Sequence, residues 1–266
     1  MRPLDRSHTA RKRFGQNFLH DQTVIHNIID AIQPKSDDRL IEIGPGLGAL
    51  TYPLLNIVKQ LDVIELDRDL AQKLESSKGN KLNLKVHQMD ALKFDFKTLV
   101  DSSQKLRIVG NLPYNISTPL IFHLLHFAEY IEDMYFMLQK EVVERMTASP
   151  NCKAYGRLSI MVQYSCEANY LFSVAPESFK PQPKVQSAMI RLKPHTTNPY
   201  PPTSILSLQQ ITTTAFNQRR KTIQNSLKPF LEIPDFIKLN IDPKKRAEQL
   251  TIAEFVEISR YITGKL

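Results

Sequence analysis

Asn111, Leu112, Pro113 and Tyr114 follow Gly110 and a mostly apolar segment at 106–109, interrupted by Arg107. They put an amide and an aromatic ring at the carboxyl end of an expected buried strand, the edge where open α/β sheets bind ligands. That pairing suits a flat exocyclic amine such as the N6 group of adenine. N6 is a poor nucleophile because its lone pair delocalises into the ring. Two acceptors holding its hydrogens would turn that lone pair toward an electrophile. The side-chain oxygen of Asn111 and the backbone carbonyl of Leu112 are the candidates. Pro113 presets the direction of that carbonyl, since its ring locks φ, and Tyr114 is the candidate stacking face. Acceptor dipoles already aimed at a nitrogen that gains positive charge give electrostatic preorganisation, and alignment of the two reactants adds to it.

Upstream, Glu42-Ile43-Gly44-Pro45-Gly46-Leu47-Gly48 falls between an expected strand at 38–43 and an expected helix at 51–59. Glycines at such a junction let the backbone turn sharply and approach a ligand closely, so Gly44 and Gly46 are candidate cofactor contacts. Glu65 stands about twenty positions on, at the next strand end, where an acidic residue can accept from ribose hydroxyls. Asp90, at the third strand end, can accept from an adenine amino group. A tight turn with solvated carboxylates would leave similar residues, but three strand ends in register favour one nucleotide pocket. Dinucleotide sites use the loop and helix N-terminus to hold pyrophosphate. S-adenosylmethionine has no phosphate, and its sulfonium favours carboxylate, carbonyl and aromatic groups. Glu42 inside the strand end and the nearby tetrad favour S-adenosylmethionine.

The elements that must position these residues alternate along the chain. Strands are expected at 38–43, 62–66, 84–89, 106–109 and 133–138, and helices at 51–59, 69–76, 117–127 and 141–148. This alternation implies an α/β fold with a parallel sheet and helices on both faces. Later strands at 172–174 and 187–192 read as a hairpin joined by the proline-rich stretch 176–183. Residues 194–202 read as a linker, and 204–216, 220–227 and 247–262 are helical by periodicity. The expected organisation is a catalytic domain at 1–199 and a small all-helical domain at 200–266.

With 266 residues, 42% hydrophobic and 23% charged, the chain has the composition of a soluble globular protein. No run approaches the roughly 20 apolar residues that span a bilayer, and the start lacks the apolar core of a secretory signal. Arg2, Arg6, Arg11 and Arg13 are dense enough for a transit peptide, against which Pro3 and Asp5 argue; a cytoplasmic protein is expected. Cys152 and Cys166 lack metal-like spacing and the histidines are scattered, so no metal site is expected and the thiols read as reduced. The net charge of +8 suits a polyanionic partner. Basic runs stand at Arg11-Lys12-Arg13 before Phe14, at Arg219-Arg220-Lys221 after Phe216-Asn217-Gln218, and at Lys244-Lys245-Arg246. Basic residues beside aromatics suit phosphate contact with base stacking, although a charge run is often only a solvated helix face.

Five segments in order resemble the ribosomal RNA adenine N6,N6-dimethyltransferases, most of all their bacterial small-subunit branch. They are Gly15-Gln16-Asn17-Phe18-Leu19, the 42–48 loop, the 111–114 tetrad, Phe179-Lys180-Pro181-Gln182-Pro183-Lys184-Val185, and Phe216-Asn217-Gln218-Arg219-Arg220-Lys221. The resemblance runs from about Arg11 to the C-terminus and departs from the family at no functional position. It implies a Rossmann-like S-adenosylmethionine-dependent methyltransferase sheet with a small C-terminal all-helical domain. It also implies that Asn17 and Leu19 close over the methionine part of the cofactor, which Asn111 also contacts. Phe179 would stack on the base opposite Tyr114, and Arg219, Arg220 and Lys221 would dock rRNA by backbone and shape. The implied reaction places two methyl groups on each of two adjacent adenosines in the 3′-terminal hairpin of small-subunit rRNA. A monomeric enzyme acting on a pre-30S particle, with the target base drawn out of its stack, is expected. A large-subunit methyltransferase of the resistance type shares the glycine loop and a similar tetrad and is the nearest alternative. A noncatalytic ribosome-assembly factor is another, against which Asn111, Tyr114, Glu65 and Asp90 argue.

Overall fold

A computed structural model of the chain describes residue 11 and residues 15–77, 83–100 and 104–264. The expectations resting on Arg2, Pro3, Asp5, Arg6, Lys12, Arg13 and Phe14 lie outside the described residues. The strands are β1 (Phe18–Leu19), β2 (Arg39–Ile43), β3 (Leu61–Glu65), β4 (Leu84–Gln88), β5 (Leu106–Asn111), β6 (Ile131–Gln139), β7 (Cys166–Val174), β8 (Phe179–Lys180) and β9 (Ser187–Pro194). The helices are α1 (Gln22–Ile32), α2 (Thr51–Leu55), α3 (Arg68–Ser77), α4 (Ser117–Leu125), α5 (Lys140–Thr147), α6 (Arg157–Ser165), α7 (Ile205–Asn217), α8 (Ile223–Ser226), α9 (Ile233–Lys238) and α10 (Ile252–Thr263).

Seven strands form one sheet in the order β4-β3-β2-β5-β6-β9-β7, and β1 pairs separately with β8. Neighbours from β4 to β6 run parallel. β9 is antiparallel to β6, so the sheet is mixed rather than wholly parallel, a common way to extend a large α/β sheet. β2 has β3 on one side and β5 on the other. Chain order reverses at that point, which opens a crevice beyond the carboxyl ends of the strands.

β3 is buried at every position, as befits a strand covered on both faces. Its fully buried Asp62 pairs with Arg39 at 3.2 Å and with His87 at 2.7 Å. Nearer the amino edge, Arg107 of β5 donates to Asp133 at 2.8 and 3.0 Å, to Asp38 at 2.6 Å and to the Ile32 carbonyl at 2.7 Å. One guanidinium thus ties β5, β6, the approach to β2 and the end of α1 together. The opposite, carboxyl edge is where the glycine loop and the tetrad lie.

α1 and α2 differ from expectation for local reasons. α1 was not foreseen. Asp21 caps it by accepting from the amides of Thr23 and Val24, and Ile25, Ile28 and Ile32 are buried at helical spacing. α2 stops at Leu55 instead of running to 59. The amides of Asn56, Ile57 and Val58 turn back to the carbonyls of Pro53 and Leu54, and Val58 drops into the core.

The chain divides into two compact units, Met1–Val143 with Asn169–Pro194, and Glu144–Ala168 with His195–Leu266. The sequence boundary near 200 lies close to the last crossing, but the second unit also takes in 144–168. Within it, α7 packs against α6 and α10. The helix expected at 220–227 is confined to α8. The Ile223 amide bonds to the Lys245 carbonyl at 2.6 Å, and Thr222 bridges to Arg246, so the preceding residues are held out of the helix. The helix expected at 247–262 is a short turn at Ala247–Gln249 followed by α10, which Thr251 and Glu254 begin afresh with a capping box. Among the described residues no helix is long and apolar enough to cross a membrane.

Candidate active site

A cavity of about 320 Å³ opens beyond the carboxyl ends of β2, β3, β4 and β5. Asn17, Leu19, Gly44, Gly46, Glu65, Asp90 and the whole tetrad from Asn111 to Tyr114 line it. Residues separated widely in sequence therefore meet at one crevice. Glu42, which the sequence singled out for its acidity, lines it too.

The floor depends on close backbone approach. Gly48 has φ of 84° and abuts Tyr52, whose ring any Cβ there would overlap. At Gly110 a Cβ would stand 2.5 Å from the Ile43 carbonyl oxygen, so only glycine lets the end of β5 lie against the end of β2. Glu65 braces the loop. Its carboxyl accepts from the Gly46 amide at 3.2 Å and from the Asp67 amide at 2.8 Å. Burial pushes its pKa upward, partly opposed by those amide bonds. Glu42 is buried beneath the loop and accepts from the Thr51 hydroxyl at 2.6 Å. Burial pushes the Glu42 carboxyl up to about 8, with Thr51 opposing and the charge of Glu65 adding to the rise. Asp90 accepts from the Leu92 amide at 3.0 Å, which fixes its carboxylate at the end of β4.

The segment before β1 is held against the cavity. Asn111 Nδ2 donates to the Asn17 carbonyl at 3.0 Å. A carbonyl only accepts, so the amide nitrogen must face Asn17, and Oδ1 is left as the free acceptor. Gln16 Nε2 donates to Asp67 at 3.2 Å, and Arg11 pairs with Asp67 at 3.0 Å and also with Asp69. Asp67 is almost fully buried. On the other side, β1 pairs with β8 through Leu19 and Phe179, and Ser178 donates to Asp21 at 3.0 Å. Gln16 and Asp67 are positioning residues that the sequence reading missed. Asp67, two residues after Glu65 at a strand end, is the signal that could have found them. Leu66 and Met89, exposed apolar side chains on the cavity, were missed as well.

The tetrad is anchored from below. Leu112 is buried, and its amide bonds to the Met137 carbonyl at 3.1 Å. Its own carbonyl receives no donor among the described residues. The Tyr114 hydroxyl bonds to the Ser187 hydroxyl at 2.7 Å, and burial raises its pKa. That bond holds the half-buried ring in one orientation.

Two groups sit differently from what the sequence led one to expect. Phe179 does not line the cavity; it is 3% exposed and packs in the core with Leu19, Ile25 and Ile28. Neighbouring Lys180 does not prevent this, because successive strand side chains face opposite ways and Lys180 is the exposed one. Arg219, Arg220 and Lys221 lie in a turn rather than on a helix. Arg219 is engaged within its own unit, donating to the Lys153 carbonyl at 2.9 Å and pairing with Glu248 at 3.3 Å. All three are exposed, and Arg219 alone of them is held in an ion pair among the described residues.

A family model described as ribosomal RNA adenine dimethylase matches residues 7–264. A ribosomal RNA small subunit methyltransferase A from Psychromonas ingrahamii is 54% identical over 257 residues, covering 96% of this chain and 94% of that protein. Its namesake from Pseudomonas aeruginosa is 56% identical over 255 residues, covering 96% and 95%. A solved dimethyladenosine transferase from Plasmodium falciparum superposes with a TM-score of 0.77 at 26% identity, over 93% of this chain and 98% of that one. The 23S rRNA methyltransferase ErmE, with a TM-score of 0.71 at 22% identity over 93% and 100%, shares the fold. The chain belongs to the ribosomal RNA adenine dimethylase family.

Proposed function

We propose that the cavity holds S-adenosylmethionine, the methyl donor of this family, and that adenine N6 of small-subunit rRNA is methylated beside Asn111 and Leu112. The observation that carries this reading is the charge of the lining. Glu42, Glu65 and Asp90 contribute three carboxyl groups, and among the described residues no lysine, arginine or histidine faces the cavity. A pyrophosphate would meet acids without a cation, whereas a sulfonium and an ammonium are complemented. Glu65 accepts from the ribose and Asp90 from the cofactor's adenine, while Asn17 and Leu19 close over the methionine part.

When bound, S-adenosylmethionine supplies the electrophilic methyl group. Asn111 Oδ1 and the Leu112 carbonyl hold the N6 hydrogens, and Tyr114 stacks on the base. These acceptors stabilise the positive charge that grows on N6. No strong general base is needed, since the methylated ammonium is acidic enough to lose its proton to water. The substrate is a pair of adjacent adenosines in the 3′-terminal hairpin of 16S rRNA within a pre-30S particle. The protein acts as a cytoplasmic monomer without a metal. Labelled S-adenosylmethionine, offered with immature 30S particles and separately with 23S rRNA, tests this. Dimethyladenosines in the 16S hairpin are expected; label confined to 23S rRNA, or RNA binding with no transfer, would overturn it.

Glu42 gives the site a pH dependence with a definite sign. In the ligand-free protein its carboxyl is protonated below about 8. A cationic ligand favours the ionised form, so binding at pH 7 should release a proton, and affinity should rise toward pH 8 and then level off. The raised pKa also means that ligand-free stability is lost as pH rises through about 8. Calorimetry in two buffers of different ionisation enthalpy reads the proton directly. Glu42→Gln should abolish both effects; proton release that persists in the variant would assign it to another group.

A further inference from the structure

We propose that the second unit carries its own binding site for one unstacked nucleotide of an RNA strand, in the concavity formed by the end of α7, the turn after it, and α8. This rests on the reading that the substrate is rRNA, and goes beyond it by naming a site and the form of RNA it takes.

The concavity has a volume of about 410 Å³ and is open to solvent, within the roughly 300–1,000 Å³ range of small-ligand pockets. Asn217, Gln218 and Asn225 line it with side-chain amides, and Lys221 and Lys228 with ammonium groups. No lining residue is acidic and none is aromatic. Among the described residues none of these five side chains has a protein partner, unlike Arg219 beside them, which is held by Lys153 and Glu248. The walls are set in advance. The start of α8 is tied to Lys245, Ser226 Oγ donates to the Thr222 carbonyl at 3.2 Å, and Leu227 is buried.

Each amide offers a donor and an acceptor side by side, which is the pattern a base edge requires. Lysine is a compact charge suited to a phosphate. An ordinary solvated helix end accounts for Lys221, since a cation there complements the last carbonyls of α7. It does not account for Lys228 or for three unpaired amides facing one hollow. Duplex RNA keeps its base edges in grooves and is read by shape and backbone, whereas loops and bulges splay bases into pockets. Without an aromatic wall, the base is held by its edge rather than by stacking.

The test uses the full chain and fluorescence anisotropy with two labelled RNAs, a hairpin with a single-stranded loop and a blunt duplex of matched length. The double variant Asn217→Ala/Asn225→Ala should weaken hairpin binding about tenfold, on the scale of losing base-edge hydrogen bonds. Its salt dependence and its duplex affinity should not change. Lys228→Ala should weaken hairpin binding and lower the salt slope by about one ion. The melting temperature should be unchanged in all variants, which reports that they fold, and so should binding of S-adenosylmethionine. Hairpin affinity unaltered in the double variant, or an equal loss on hairpin and duplex, overturns the site while leaving the rRNA reading intact. Failure of the unsubstituted protein to bind the hairpin also overturns the site, while methyl transfer to immature 30S particles decides the rRNA reading separately.

Discussion

Asn111→Ala is expected to slow methyl transfer to rRNA by about 10²–10³-fold, the scale of removing one preorganised hydrogen-bond partner from a reacting centre. The geometry adds a second, smaller effect. Asn111 Nδ2 holds the Asn17 carbonyl at 3.0 Å, so alanine should also loosen the segment proposed to cover the cofactor. Loss of one such bond costs about 0.5–1.5 kcal/mol, which corresponds to a loss of cofactor affinity of roughly tenfold or less. Single-turnover rates at saturating S-adenosylmethionine separate the two effects. A normal rate with weakened affinity alone would show that Asn111 holds the covering segment and does not touch N6. Asn111→Asp sharpens the distinction, since it keeps an acceptor but sets a second oxygen against the Asn17 carbonyl. It should lose more cofactor affinity than alanine does.

In the proposed clamp the acceptors are fixed before the base arrives. The buried Leu112 side chain and the bond from its amide to Met137 leave its carbonyl no freedom to turn away. Gly110 lets that strand end press against Ile43, which brings the acceptors to the same crevice as Glu42 and Glu65. Ser187 holds the Tyr114 hydroxyl, so the ring does not have to be ordered by the base. Preorganisation of this kind lowers the barrier without reorganisation during the reaction.

The cavity was legible in the sequence because Glu65, Asp90 and Asn111 stand at or just past the ends of short strands, and the alternation of strands and helices brings those ends to one edge. What was not legible depends on partners remote in sequence. The role of Asp67 needs Gln16 and Arg11, which reach it only after the chain has folded back. Arg219 reads as a free cation until Lys153 and Glu248 are seen beside it. The short helix α8 begins where Lys245 bonds to it, a boundary no local periodicity contains. Burial of Phe179 follows from the pairing of β8 with β1, two segments about 160 positions apart, because strand register decides which face each side chain takes.

Phe179→Ala is expected to lower stability by about 3–5 kcal/mol, as for other buried aromatics cut back to alanine, with a fall in melting temperature on the order of 10 °C. Its ring lies in the same core cluster as Leu19, Ile25 and Ile28, so the void left behind would also weaken the support of the segment proposed to cover the cofactor. Affinity for S-adenosylmethionine should fall with stability. Phe179→Leu discriminates between a core role and base stacking. A leucine retains most of the apolar contact, and the backbone pairing of Leu19 with residue 179 does not depend on the side chain. That variant should recover most of the stability and, with it, near-normal methyl transfer. If the ring instead swings out to stack on the target adenine, the leucine variant would stay folded and bind cofactor normally, yet lose activity on rRNA. Melting temperature, cofactor affinity and transfer rate measured on the same two variants therefore decide whether Phe179 holds the site together or touches the substrate.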